Sequence, residues 1–275
     1  MLGFGRYSME YQNILYEKED HVVVITLNRP QVHNALNRAI ALELHHAWTT
    51  FKEDEDAFVA ILTGAGDKAF SAGWDLKEAA AMTDPTFYEQ WMKTGDSGPC
   101  GYTHRVDIFK PTIAAINGYC FAAGLETACT VDIRIAADHA EFGWLERRWN
   151  IALGDGGSVR FPMIVGYARG LELIITGRRF DAKEALRIGL VSEVVPRKKL
   201  MKRALELAYS IAALPQGAIR SDKESVVRGW GRPTEDALAI EREMLRLMWM
   251  RQDKHSEGAR AFIEKRKPDF KHHGL

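Results

Sequence analysis

The sequence predicts an α/β fold with a spiral of small ββα units over residues 1–195 and a helical region over residues 196–275. Three observations support this prediction. Short apolar runs rich in β-branched residues recur along the first region, and each has the length of a strand. Helical patterns follow pairs of these runs after short connections, which is typical of ββα units and not of one long doubly wound sheet. The second region repeats apolar residues at three- and four-residue intervals, which indicates helices.

The composition favours an enzyme that acts on a small molecule. The chain of 275 residues can bury a large core, and its 37 basic and 37 acidic residues give a formal net charge of zero. No overall charge attracts it to nucleic acid or to a membrane surface. Three cysteines without metal-ligand spacing, Cys100, Cys120 and Cys129, indicate a reducing compartment. We expect a cytoplasmic protein without a metal, a nucleic-acid partner or a membrane segment.

The first predicted elements are a hairpin, a helix and a strand. Two β-rich runs, 13–16 and 22–27, flank a charged turn, and Arg29 precedes the proline that ends the second run. Asn37 can cap the next helix, because its side chain can accept from the N–H groups of the first turn. The apolar face of that helix consists of Ile40, Leu44, Trp48 and Phe51. Residues 58–63 form the following strand.

The stretch from Gly64 to Ala69 imitates the Gly-x-Gly-x-x-Ala fingerprint of dinucleotide-binding proteins. That fingerprint requires a helix to begin at once, whereas residues 68–73 have the pattern of an extended chain. We therefore expect no dinucleotide site here.

Small residues then let a ligand approach the backbone around Ala72 and Gly73, and Asp75 can cap a following helix. Residues 82–109 form the least regular part of the chain. Loops of this kind often shape pockets. Their aromatic side chains include Phe87, Tyr88, Trp91 and Tyr102.

A strand over residues 112–116 and a turn at Asn117 lead to a helix predicted to start near Ala122. Its small first residues leave backbone N–H groups and the positive end of the helix dipole uncovered, which favours an anion. Glu126 lies in the same first turn. The alternative is that the small residues allow close helix packing and that Glu126 complements the dipole.

Further strands are predicted over residues 132–136 and 141–143, and Glu146 follows the second of them. Asp155 lies in a glycine-rich turn before a helix, and we interpret it as a helix cap rather than a third carboxylate near the site. Two carboxyl groups with opposite protonation can act as base and acid, although spacing alone does not bring Glu126 and Glu146 together.

After a helix capped by Asp181 and a last strand over residues 190–195, the chain is predicted to be helical. Apolar stripes at helical spacing, typical of core or subunit interface, comprise Leu238, Ile240, Met244, Leu245, Met248, Ala261, Phe262 and Ile263. The tail around Lys265 is basic and is either a solvated helix end or a phosphate contact.

Three segments together resemble the crotonase, or enoyl-CoA hydratase, superfamily: residues 69–78, 116–126 and 142–146. Their order and spacing fit as well, and the resemblance extends from residue 27 to residue 266. It implies a crotonase-type ββα spiral whose helical C-terminal region forms a homotrimer, or a homohexamer as a dimer of trimers. It also implies an acyl-CoA thioester substrate, with coenzyme A as part of the substrate and no other cofactor.

The resemblance also assigns roles to residues. The backbone N–H groups of Trp74 and Ala123 would form an oxyanion hole for the thioester oxygen, and Glu126 and Glu146 would be the two catalytic glutamates. Both being present implies an enoyl-CoA hydratase, with the division of roles between them left open. Alternatives are an enoyl-CoA isomerase, another acyl-CoA lyase or hydrolase of this fold, and a binding protein without catalysis. Further substrate or coenzyme A contacts would come from Arg29, Ala72, Asp75, Leu76, Gly124, Phe262 and Lys265.

The chain departs from the family pattern at three places. Ala122 and Ala123 replace the first two residues of a usual triple glycine, Leu145 stands where hydratases often have proline, and bulky Trp74 replaces a small residue. Because the oxyanion donors belong to the backbone, these changes leave the expected hole intact.

Overall fold

A computed structural model describes residues 10–81, 97–251 and 257–269 of the chain. The described residues form ten strands: β1 (Ile14–Glu19), β2 (Val22–Leu27), β3 (Val59–Gly64), β4 (Ala69–Ser71), β5 (Thr112–Ile116), β6 (Tyr119–Phe121), β7 (Ile133–Ala137), β8 (Glu141–Gly143), β9 (Phe180–Asp181) and β10 (Glu193–Val195). These strands make a six-stranded sheet in the order β1-β2-β3-β5-β7-β10 and a four-stranded sheet in the order β4-β6-β8-β9. The pairs β1–β2 and β8–β9 are antiparallel and the other pairs are parallel.

The helices of the same ranges are α1 (Arg38–Glu53), α2 (Leu76–Ala81), α3 (Ala123–Thr130), α4 (Gly157–Val165), α5 (Tyr167–Thr176), α6 (Ala182–Arg187), α7 (Leu200–Ala212), α8 (Gln216–Gly229), α9 (Thr234–Arg251) and α10 (Glu257–Ile263). Short 3-10 turns cover Pro30–Val32, Leu145–Trp149 and Arg197–Lys199.

Successive strand pairs confirm the predicted spiral. The first strand of each pair, β3, β5 or β7, enters the six-stranded sheet, and the second, β4, β6 or β8, enters the four-stranded sheet. A helix follows the first two pairs directly, and a 3-10 turn and α4 follow the third. Each unit therefore returns the chain to the same edge, where the loops after β4, β6 and β8 meet.

Alternation along the strands divides the core into two layers. Side chains such as Ile25, Leu62 and Ile116 pack toward α1, α3 and the four-stranded sheet, where the larger core lies. Side chains of opposite parity, such as Ile61 and Ile113, pack against α7. A strand exposes alternate residues to its two faces, so both faces of these buried strands must be apolar.

Most predicted elements are confirmed with small shifts of their ends. The predicted hairpin is β1–β2, although β1 extends through the charged residues to Glu19. Asn37 caps α1 by accepting from Ile40 N–H at 3.0 Å. Asp181 caps α6 by accepting from Glu184 N–H at 2.7 Å. The last strand, β10, begins at Glu193 and is shorter than predicted, and the two residues Leu190 and Val191 are buried before it.

The short strand β6 stands where a turn was predicted to lead directly into a helix. Its pairing with β4 and β8, which are distant in sequence, holds Tyr119–Phe121 extended. A three-residue run carries too little periodicity to show this.

The helices after β10 differ in how they are packed. Leu200, Ala204 and Ala208 of α7 are fully buried on the six-stranded sheet, so this helix belongs to the core. By contrast, α8 and α9 pack mainly on each other, and the predicted stripe on α9 is half exposed, with Leu238 at 52% and Leu245 at 50%. The proposed division at residue 195 stays a prediction. None of the helices in the described ranges is long and apolar enough to cross a membrane.

Candidate active site

Two backbone segments come into contact beside the start of α3. Trp74 pairs with Leu36 in an isolated parallel bridge, which fixes the chain after β4. Gly73 has a φ of +98°, and a Cβ added to it would lie 2.8 Å from Ala122 Cβ and 3.3 Å from Ala123 N. A side chain at Gly73 would therefore separate two segments that the fold places in contact. The predicted oxyanion donors thus belong to neighbouring segments.

The turn into α3 is made by Ala122. Its φ of +49° and ψ of −128° are unusual for a residue with a side chain, and its N–H donates to Gly143 O at 3.0 Å. Ala123 is the first residue of α3, so its N–H belongs to the turn whose donors have no acceptor within the helix. The position of Gly124 is equally restricted, since a Cβ there would lie 2.5 Å from Ser71 O. Close packing of α3 on β4 is therefore a feature of this turn, whereas the anion site at the helix start stays a prediction.

Glu126 is buried in the first turn of α3, with 3% of the residue exposed. Its Oε1 accepts two backbone hydrogen bonds, from Asp155 N–H at 2.9 Å and from Gly157 N–H at 2.8 Å. Gly157 begins α4, so the carboxyl group of Glu126 occupies the position that a helix cap would take. Two donors and the helix dipole hold this carboxyl group in one orientation.

Glu146 lies in the 3-10 turn after β8 and is 7% exposed. Neither of its carboxyl oxygens has a hydrogen-bond partner among the residues that the structure describes. The nearest cation is Arg147, whose Nη2 lies 3.8 Å from Oε1. A buried carboxyl group without partners is costly to the fold, which is typical of a functional group reserved for a ligand.

Both carboxyl groups hold their protons unusually tightly. Burial and the negative charges of Asp155 and Glu146 together raise the pKa of Glu126 to about 7, against the effect of its two N–H donors. Burial also raises the pKa of Glu146 to about 7, against the charge of Arg147. The structure thus brings the two glutamates close enough for their charges to interact. Near neutral pH such a pair retains about one proton, as an acid–base pair requires.

The prediction that Asp155 caps a helix is wrong. The residue before α4 is Gly156, with a φ of +89°, and it has no side chain that could cap this helix. Asp155 is 4% exposed, and its Oδ1 accepts from Cys100 N–H at 2.7 Å and from the Thr103 hydroxyl. The cap position is occupied by Glu126, which is 29 residues away in sequence. Asp155 is therefore a third buried carboxylate beside Glu126.

The structure shows the neighbours of four other residues that were predicted to contact the substrate or coenzyme A. Arg29 forms an ion pair with Asp75 at 3.1 Å and donates to Ala35 O at 2.7 Å. Asp75 also accepts from Lys77 N–H at 3.1 Å, so its predicted position at the start of α2 is confirmed. Leu76 is exposed, and Ala72 donates its N–H to His33 O at 2.9 Å. Their contacts with a substrate stay predictions.

Of the aromatic residues in the irregular segment 82–109, the structure describes Tyr102 but not the first three that were named. Phe87, Tyr88 and Trp91 lie outside the described residues. Tyr102 is 1% exposed, is stacked on Trp48 at a centroid distance of 4.9 Å, and donates its hydroxyl to Thr127 O. Tyr102 is therefore part of the core and is excluded as a candidate to line a pocket. Phe262 of α10 is 85% exposed and Lys265 follows that helix, so their contact with coenzyme A stays a prediction.

Sequence reasoning overlooked Asn34 and Trp144, and it identified Asn117 only as part of a turn. Asn34 donates to Ala65 O and Ala69 O, and Asn117 donates to Gly64 O and Gly66 O, so both fix the loop between β3 and β4. Trp144 is fully buried beside Glu126. The polar turn at Asn117 was a usable signal, whereas nothing local marks Trp144. Among the described residues, no group of three or more His, Cys, Asp and Glu side chains could hold a metal.

The burial of the Glu146 carboxyl group predicts how the free energy of unfolding depends on pH. Because its folded pKa is raised from 4.5 to about 7, the folded state binds the proton more tightly, and stability is lost as the pH rises from about 4.5 through about 7. Glu146→Gln removes this loss. The variant should gain up to about 3 kcal/mol relative to the parent at pH 8.5 but little at pH 4, at about 1.4 kcal/mol per pKa unit. Thermal melts at both pH values measure this, and a gain independent of pH would contradict it.

The chain is similar to known proteins along nearly its whole length. The family model for enoyl-CoA hydratase/isomerase matches residues 17–273. A probable enoyl-CoA hydratase, echA8, of Mycobacterium tuberculosis is 40% identical over 96% of this chain and 100% of that protein. A short-chain-enoyl-CoA hydratase of Clostridium acetobutylicum is 38% identical over 94% of this chain and 97% of that protein. A solved enoyl-CoA hydratase subunit of Geobacillus kaustophilus has a TM-score of 0.87 and 35% identity, over 96% of this chain and 99% of that chain.

Proposed function

The chain belongs to the enoyl-CoA hydratase/isomerase family, and we propose that it is an enoyl-CoA hydratase, which adds water across the double bond of a 2-enoyl-CoA thioester. Membership confirms the resemblance noted in the sequence and the crotonase-type fold. The observation that supports hydration is the pair of buried glutamates, Glu126 and Glu146, each with a pKa of about 7. Such a pair can hold one proton and one negative charge at neutral pH.

In the proposed reaction, the N–H groups of Trp74 and Ala123 donate to the thioester oxygen. Negative charge that develops there is stabilised by fixed donors and by the start of α3. One glutamate removes a proton from water as the water oxygen bonds to the β-carbon. The other glutamate gives a proton to the α-carbon. The pair of C=C electrons forms the new C–H bond, so charge and protons balance.

The test of this function is hydration of a panel of 2-enoyl-CoA thioesters that differ in chain length and branching. Loss of the ultraviolet absorbance of the conjugated double bond reports water addition, and product analysis identifies the 3-hydroxyacyl thioester. Parallel reactions with 3-enoyl-CoA detect an isomerase. Conversion of 3-enoyl without hydration of 2-enoyl substrates would favour the isomerase, and binding without turnover would favour a binding protein.

We also propose that Trp74 helps select the acyl group. It is partly buried against the core next to one proposed oxyanion donor, so its indole can border the acyl chain. Trp74→Ala should change the ratio of kcat/KM between short and bulky acyl groups about ten-fold, since a methylene-sized change in an apolar pocket is worth roughly 1 to 3 kcal/mol. A folded variant that lowers kcat/KM for every substrate equally would assign Trp74 a supporting role only.

The proposed assembly is a homotrimer or a homohexamer. It is supported by large apolar side chains on and between α8 and α9 that are 49% to 71% exposed in the single chain: Val226, Trp230, Leu238, Leu245, Trp249 and Met250. Such a surface is unusual unless another subunit covers it. Light scattering after size exclusion measures the subunit number. The proposed setting is fatty acid metabolism in the cytoplasm, and the three unpaired, buried cysteines support a reducing compartment.

A further inference from the structure

We propose that Asp155 is a positioning residue of this site: its carboxylate fixes the turn that holds Glu126 and places a negative charge beside it. The proposal rests on the proposed hydratase function, in which Glu126 exchanges a proton. The titration of the Glu126 carboxyl group, which tests the role of Asp155, is measured without any substrate.

The contacts of Asp155 connect two parts of the chain. Its Oδ1 accepts from Cys100 N–H at 2.7 Å and from the Thr103 hydroxyl, so the segment after residue 97 is fastened to the turn before α4. Its own N–H donates to Glu126 Oε1 at 2.9 Å. One residue therefore anchors the turn with its side chain and holds the proposed catalytic carboxyl group with its backbone.

The charge of Asp155 acts on the carboxyl group of Glu126. Burial raises the pKa of Asp155, whereas the Thr103 hydroxyl and the Cys100 N–H stabilise its ionised form. Asp155 is 4% exposed, so water screens its charge weakly. After burial, the charge of Asp155 is the largest cause that raises the pKa of Glu126. The remaining titratable groups whose charges bear on Glu126 or Asp155 are Glu146 after β8, Arg160 on α4, Cys129 on α3, and Cys100, Tyr102 and His104 in the 97–104 segment.

Asp155→Asn separates the two contributions, because the amide oxygen can still accept from Cys100 and Thr103 while the charge is removed. Removing a neighbouring negative charge makes Glu126 easier to ionise, so the pH at which it loses its proton should fall by about one unit. Infrared titration of the protonated carboxyl band measures this in the enzyme without substrate. Loss of the band in Glu126→Gln assigns it.

The same shift should appear in the pH profile of kcat/KM for a 2-enoyl-CoA that the parent hydrates. One limb should move to lower pH by about one unit, while KM stays within about two-fold. A move of the acid limb would identify Glu126 as the base, and a move of the alkaline limb would identify it as the acid. A residue with only a structural role would change the height of the profile and leave both limbs in place.

Glu43→Gln is the matched control. Glu43 is also buried, at 4% exposure, and it accepts from the N–H groups of Gln12, Asn13 and Ile14, away from Glu126. It should leave the Glu126 titration in place. An equal shift in this control, or no shift in folded Asp155→Asn, would overturn the proposal.

A second variant covers the case in which Asp155→Asn does not fold. Thr103→Val removes one donor from Asp155 and so weakens its ionisation, and the Glu126 titration should move in the same direction by a smaller amount. A folded Thr103→Val with an unchanged titration would count against the proposal. If the parent hydrates no enoyl-CoA at all, the proposed function fails, while the infrared titration still decides the role of Asp155.

Discussion

Glu126→Gln and Glu146→Gln should each lower kcat by about 10²- to 10⁴-fold, the usual contribution of a positioned acid or base. Gln can neither take up nor release the proton that the reaction transfers, although it keeps the size of the side chain. The Oε1 of a Gln at position 126 can still accept from Asp155 and Gly157, so the geometry around it should persist. Steady-state kinetics on the preferred 2-enoyl-CoA measures the loss.

The double variant tests whether the two glutamates act as one unit. Residues that act together in one step are strongly non-additive, so the double variant should lose far less than the product of the two single losses. Glu43→Gln serves as the control for loss of a buried carboxylate elsewhere. Hydration by Glu146→Gln at the parent rate would exclude the two-carboxylate mechanism.

Ala123→Pro should lower kcat by about 10²- to 10³-fold, the usual cost of losing one oxyanion donor. Proline removes the N–H of Ala123 and places its ring carbon where the donor hydrogen lay. The helix itself does not use this donor, because Ala123 is the first residue of α3, a position that tolerates proline. Turnover of the same substrate and binding of a non-reactive acyl-CoA together measure the effect.

Ala123→Gly is the comparison for this variant, since it keeps the N–H and should lose far less activity than Ala123→Pro. Circular dichroism and the melting temperature must show that the proline variant is folded. A folded proline variant with the activity of the parent would remove Ala123 from the proposed oxyanion hole.

Many features of the fold could be predicted from the residues themselves. Asn37 and Asp181 cap helices as expected, because a cap acts on N–H groups two or three residues away. The short, continuous apolar runs that predict strands correspond to β2 and β3, which are mostly buried on both faces. Small residues after β6 predict a helix that starts near Ala122 with Glu126 in its first turn, and α3 starts at Ala123.

The sequence by itself therefore determined the ββα spiral, its helix caps and the segments that carry the site, because each depends on neighbours within about one helical turn. Only the tertiary structure decided which groups meet. Glu126 holds N–H groups of a turn that begins 29 residues later, Asp155 binds a segment 55 residues earlier, and Tyr102 packs in the core. Such contacts are chosen by packing and burial, which also raise the pKa of both glutamates to about 7.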